Sequence, residues 1–302
     1  MKRVGLLLLM FLLSSSLPVM AQGVLVKIEN AGEIDWTNNV VRSSGSSPSP
    51  SDSRDRSQRI ATLEAATATA AENLMKTVQR VTLSSAKTVR EASRSNAVLR
   101  QRVNELVQRF TIRDTRSMSD MSVEVDLQLP LTDDILALFM PAKTGHGAWS
   151  LDDIPRSPLS LLPWPECREI PDGVELVTPS QGLLAYNGKP FTSLIVDASQ
   201  LSLQAALLPR ILNEKGEEVY GVSYLSREIA IQSGLVSYAP SLTAAKKNAR
   251  AGSQPLVICG VRVAGTHPTD IVVSANDAVL IHAAAKSNNF LRQCKVVVVI
   301  GS

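Results

Sequence analysis

Val123-Glu124-Val125-Asp126-Leu127-Gln128-Leu129-Pro130 alternates apolar and polar side chains without a break. Successive side chains of a strand point to opposite faces, so the pattern predicts one buried and one wet face, as in an antiparallel sheet covered on one side. Upstream the period changes. From Ser57 onward Ile60, Leu63, Ala70, Leu74, Val78 and Val81 recur at three- and four-residue steps, which predicts a helix with one apolar stripe. Its alanine-rich middle suits close approach by another element. Leu99, Val103, Leu106 and Phe110 mark a second helical stripe, with Arg100, Arg102, Glu105 and Arg109 outside it as a solvated face. A strand follows at Phe110-Thr111-Ile112. Helix and strand patterns in one stretch define an α+β unit.

Before the helix, Gly32-Glu33-Ile34-Asp35-Trp36-Thr37-Asn38-Asn39-Val40-Val41-Arg42 alternates around a Thr-Asn-Asn turn and predicts a β-hairpin. Residues 43–57 are Ser, Pro, Gly, Asp and Arg with almost no apolar side chain. Such a run buries too little surface to offset its ordering entropy, so a flexible loop is expected. The first domain, residues 22–140, therefore reads as a hairpin plus one or two helices packed on an antiparallel sheet. Residues 141–180 hold Pro155, Pro158, Pro163, Pro165 and Pro171 with no sustained period, and read as a linker. Trp149 and Trp164 lie in it. They either pin the segment to a domain surface or face outward as a recognition loop.

The second domain, residues 181–302, reads as mixed α/β. Leu194-Ile195-Val196-Asp197-Ala198 suits a buried strand, and Pro209 to Gly221 reads as strand, Lys-Gly turn, strand. Ala244 to Ala251 is a short helix with Lys246, Lys247 and Arg250 on a solvated face. Leu256 to Val263 and Asp270 to Val273 form a strand pair around Gly265-Thr266-His267-Pro268. Ser274 and Asp277 then make a cap for a helix over Ala275 to Ser287, before a last strand from Cys294 to Ile300.

Chemistry is hard to find. A hydrolase needs a nucleophile, a base and an orienting acid, and the chain holds only His146, His267 and His282. His146 lies between two glycines in the linker, His267 in a turn, and His282 on an apolar helix. No G-x-S-x-G elbow, phosphate-cradling glycine loop or C-x-x-C spacing occurs, so no enzyme, cofactor or metal is expected. Asp197 closes a strand, where it either caps the next turn or contacts a ligand. A periplasmic module for a small ligand or glycan, using Asp197 and the Trp149 to Trp164 segment, is the alternative function. Cys259 and Cys294 sit in neighbouring apolar runs that could pair as a disulfide, or both are small buried hydrophobes. Cys167 would be left over.

The first 21 residues read as an export signal: Lys2 and Arg3, an apolar run from Val4 to Leu13 too short to span a bilayer, and the small-residue site Val19-Met20-Ala21. No cysteine follows the run, so no lipid-attachment site is expected. Lys2 and Arg3 supply two of the formal +3, leaving about +1 on the mature chain and no basic excess for nucleic acid.

Gly32-Glu33-Ile34-Asp35-Trp36, the alanine-rich helix entering Asn73-Leu74-Met75, and the strand from Val123 to Leu131 resemble the Lpp-twenty-type outer-membrane lipoproteins of bacteria. That domain is similar to flagellar assembly lipoprotein P and the N-terminal domain of flagellar assembly protein T. Ser193 to Ala198, Pro209 to Leu212, Gly216 to Gly221 and Asp270 to Ser274 resemble a module attached to it in two-domain exported relatives. The resemblance implies a non-enzymatic scaffold or assembly protein of the cell envelope, periplasmic after cleavage and associated peripherally with the outer membrane. Its implied partners are envelope proteins, flagellar basal-body components among them, or further copies of itself. Two departures stand out: the lipid-bearing cysteine of many relatives is missing, and Ser199-Gln200 follows Asp197-Ala198 where the family leads one to expect Arg-Gly. Protein contacts, not a lipid, are then expected to hold the chain in place.

Overall fold

The alternating stretch forms β7 (Val123–Pro130), with Val125, Leu127 and Leu129 buried. It pairs antiparallel with β3 (Val40–Ser47) and β6 (Thr111–Ser117). With β1 (Leu25–Ile28) and β2 (Gly32–Asp35) these make an antiparallel five-stranded sheet ordered β1-β2-β3-β7-β6. The structure, a computed structural model, describes residues 23–48, 56–119, 122–142, 144, 175–176, 184–185 and 190–301. The export signal, His146, Trp149, Trp164 and Cys167 lie outside the described residues, as does most of the linker.

The hairpin β2-β3 turns where expected. Asp35 closes it from a buried position: its carboxylate accepts the Asn38 N–H at 3.0 Å and the Asn38 side-chain amide at 2.7 Å, and pairs with Arg42 at 2.9 Å. The loop expected from Ser43 is absent through Ser47, because β3 continues there. The reason is α1 (Arg56–Arg80), which crosses the sheet at the small residues. A Cβ on Gly45 would lie 2.2 Å from the Ala70 nitrogen and 2.5 Å from the Ala66 carbonyl oxygen. Ser43 Oγ donates to the Ala70 carbonyl at 2.8 Å, and Asn73 Nδ2 to the Ser44 carbonyl at 2.9 Å. Low hydrophobicity here reflects backbone-to-backbone packing, not disorder. The buried line of α1 runs through Thr62, Ala66, Ala70, Leu74 and Val78, while Ile60 and Leu63 of the expected stripe are exposed.

After α1 come a small hairpin, β4 (Thr82–Ser84) and β5 (Lys87–Thr88), then α2 (Val89–Arg94), α3 (Ala97–Val107) and later α4 (Asp134–Phe139). Short α2 and α4 carry too few residues for a period to show. A two-residue ladder, β8 (Glu175–Leu176) with β9 (Leu184–Ala185), begins inside the stretch read as a linker.

The second half holds two sheets. β10 (Ser193–Ala198), β13 (Ser237–Ala239), β14 (Pro255–Cys259) and β17 (Val296–Ile300) form an all-parallel sheet ordered β13-β17-β10-β14. β11 (Ile211–Leu212), β12 (Glu218–Tyr220), β15 (Arg262–Ala264) and β16 (Asp270–Val272) form the other, ordered β12-β11-β16-β15. The expected strand from Leu256 to Val263 thus splits between the two sheets, at Gly260, where a Cβ would lie 2.9 Å from Ile271 and Leu201. The helices are α5 (Arg227–Ser233), α6 (Leu242–Lys247) and α7 (Ala275–Asn288), the last capped by Ser274 as the sequence predicts. Interior strands β10 and β17 are buried on both faces: Leu194, Val196, Val296 and Val298 join the main core, and Ile195, Val297 and Val299 pack with Ala245 and Ala251. That main core also contains Ile34, Trp36, Leu74 and Leu127, so one apolar core runs through both halves.

Candidate functional site

A polar cluster centred on the buried Ser85 and Asp270 lies on the seam between the halves. Ser85, in the turn between β4 and β5, donates its hydroxyl to Asp270 Oδ2 at 2.6 Å. Arg210 donates to the same oxygen through Nε at 3.1 Å and Nη2 at 2.5 Å, and its backbone N–H reaches Oδ1 at 3.3 Å. Asp270 is 1% exposed, so its charge would be costly without these partners. His267 donates its backbone N–H to the Ser85 carbonyl at 3.0 Å and turns Nε2 toward Glu91 Oε2 at 3.3 Å. Serine, histidine and two acids therefore meet in one place, but not as a catalytic relay. The Ser85 proton goes to a carboxylate already held by an arginine, and the imidazole faces an exposed glutamate. This wiring fixes position and does not activate a nucleophile.

The seam extends well beyond that cluster. Leu207 and Leu208 donate backbone N–H groups to the carbonyls of Thr82 at 3.0 Å and Leu83 at 2.8 Å, and Asp133 donates to Ile231 at 2.7 Å. Arg227 donates to the carbonyls of Ala137 and Pro141. Trp36 meets Tyr238 edge to face at 5.8 Å. Tyr238 is itself pinned, since its hydroxyl donates to the Ala206 carbonyl and accepts the Ala206 N–H, both at 2.9 Å. A gap of about 10 Å³ lined by Asn39, Leu131, Ala206 and Tyr238 is too small for any organic ligand.

Asp197 stands at the carboxyl end of β10, half-buried, where its Oδ1 accepts the Ser199 N–H at 2.9 Å. It caps the turn, as one of its two expected roles required. Trp149 and Trp164 lie outside the described residues, so nothing places them beside it. The Cys259–Cys294 disulfide does not form: Cys259 is disulfide-bonded, whereas Cys294 is a free, buried thiol. β10 separates β14 from β17, and Cys259 is level with Asp197 and hence with Val299, five residues beyond Cys294. Two strand spacings of about 4.8 Å each already exceed the span a disulfide bridges. Burial pushes the Cys294 thiol up, although Tyr220 and Arg250 oppose it. Arg250 is not on a solvated face either. It donates to the carbonyls of Ser233, Gly234 and Cys294, tying the end of α5 to the turn before β17, and burial lowers its pKa. His282 is buried on α7 against Tyr224, and desolvation, with the Lys286 charge, pushes it down to about 4.

Sequence reasoning does not single out Ser85, Arg210 and Asp270 as a set. Asp270 offers the same signal as Asp197, an acid adjoining an apolar strand. Nothing local announces that Ser85, so distant along the chain, completes it. Among the described residues no group of three or more His, Cys, Asp or Glu could hold a metal ion, and no helix is long and apolar enough to cross a membrane. No curated protein matches the chain. Residues 193–302, beginning at the first residue of β10, match the family described as the second domain of Treponema pallidum Tp0624.

Proposed function

We propose that this protein is a non-enzymatic, exported scaffold or assembly protein of the cell envelope, held there by protein contacts. The observation that carries the reading is the seam. Ser85, Arg210 and Asp270, the polar groups best placed for chemistry, are spent on joining two modules into one body. A body of fixed shape suits a part whose task is to hold partners in register. The resemblance of the first half to Lpp-twenty-type lipoproteins supports the same role, with basal-body proteins as candidate partners. The test is fractionation of cells expressing a tagged copy, with cross-linking before lysis. Recovery from the periplasm or outer-membrane fraction with cross-linked envelope proteins is expected; a cytoplasmic protein without cross-links would overturn the reading.

A further inference from the structure

The small net charge of the chain hides an uneven distribution. Between Arg80 and Arg116 stand nine Lys and Arg against three acids, a formal +6, so the remainder of the +3 chain carries −3. The excess gathers where α2 turns into α3. Arg90 and Arg94 of α2 and Arg100 of α3 border one cleft, which sets them side by side, and Arg102 follows on α3. Arg94, Arg100 and Arg102 are exposed. Among the described residues none of these four arginines takes part in an ion pair. The two acids of these helices answer to other groups: Glu91 accepts the Thr88 N–H at 2.6 Å, and Glu105 the Gln101 side-chain amide at 2.9 Å. At the corner itself every residue from Arg94 to Val98 is exposed, and Val98, at 64%, is the most exposed large hydrophobic side chain among the described residues. Arg102 lies one helical turn beyond Val98, on the same face.

We propose that this corner docks on an anionic lipid bilayer, with Arg94, Arg100 and Arg102 meeting phospholipid headgroups and Val98 entering the interface. Charge complementarity names the occupant. Each Lys or Arg held near an anionic lipid surface strengthens binding by about fivefold, so three together supply about 100-fold. An apolar tip flanked by cations suits the headgroup boundary, where Val98 leaves water while the guanidinium groups stay among phosphates. A nucleic acid offers that tip no such gain, and no aromatic side chain stands between Arg80 and Arg109 to stack on a base. The contact is reversible and salt-sensitive, and it needs no covalent lipid. From the envelope reading it takes only the place where lipid is met. Purified protein can bind vesicles whatever it assembles with, and an assembly protein can lack this contact, so the two readings fail separately.

The test is flotation of the full chain with vesicles of phosphatidylcholine containing phosphatidylglycerol, compared with phosphatidylcholine alone. Stronger binding to the anionic vesicles is expected, weakening steeply as salt screens it. The R94Q/R100Q/R102Q variant should bind them about 100-fold more weakly. By contrast K215Q/K247Q/R262Q, which removes the same charge from exposed positions of the second half, should change binding by less than about threefold. The first 21 residues are common to every variant, so differences among variants report the corner. Both triple variants should melt with the parent, as surface substitutions do. Should the first fail to fold, the single Arg94→Gln and Arg102→Gln variants take its place, each expected to bind about fivefold more weakly. Val98→Ser should weaken vesicle binding further and leave binding to duplex DNA unchanged. No preference for anionic vesicles, or an equal loss in the two triple variants, overturns the proposal. Binding to duplex DNA as tight as to vesicles, and indifferent to Val98, assigns the corner to nucleic acid and overturns it as well.

Discussion

Gly45 is under strong steric constraint because a helix backbone lies on it. With Ala70 and Ala66 within 2.5 Å of where its Cβ would be, Gly45→Ala must push α1 off the sheet, and we expect a loss of about 1–3 kcal/mol in urea unfolding. An unchanged midpoint would mean that the helix sits farther away. At Asp270 the constraint is electrostatic. Arg210→Ala leaves the buried carboxylate to Ser85 and one backbone N–H, and should cost about 1–3 kcal/mol. Because the Arg210 side chain is 44% exposed, the lower end of that range applies. His282 adds a pH dependence. Its folded pKa of about 4 lies below the usual 6.5, so between those values the unfolded chain takes up a proton that the folded chain refuses. Stability should therefore fall on acidification from pH 6.5 to 4, by about 3 kcal/mol at the lower end, and His282→Gln should flatten that slope.

At the scale of elements, the legible parts are those whose pattern is set by a single neighbouring surface. β7 alternates because one face meets α1 and the other meets water, and α7 announces itself through Ser274 and Asp277. β3 is illegible for the opposite reason, since its Ser-Ser-Gly-Ser-Ser run answers to helix residues such as Ala70 and Asn73, 27 and 29 positions from Ser43 and Ser44, and matches the composition of a loop. α2 could have been found: Thr88 and Glu91 form a capping box, with the Glu91 N–H 3.3 Å from Thr88 Oγ1. Breaking it with Thr88→Ala should cost about 1 kcal/mol. It should also loosen the packing of α2 against α1 and α3, read as faster amide exchange over residues 89–94. Exchange no faster than in the parent would show that tertiary packing alone holds this short helix.

For the whole molecule, a core shared by Trp36 and Tyr238 means that the halves should unfold together. One cooperative transition is expected, with tertiary and secondary probes coincident, and Trp36→Ala should lower the midpoint of the entire transition by the equivalent of about 3–5 kcal/mol. Two separated transitions would count against a shared core. Residues 181–302 expressed alone should be poorly soluble, because the surface that Trp36, Leu83 and Leu131 cover becomes exposed. One topological detail bears on how the chain is made. β17 is the last strand in chain order, yet it is the interior strand that joins β13 to β10. Until residue 300 is available, β13 has no neighbour and β10 keeps an open edge, so the parallel sheet closes only after its other three strands have been made. For an exported chain, as proposed above, this late closure would delay commitment to the native state.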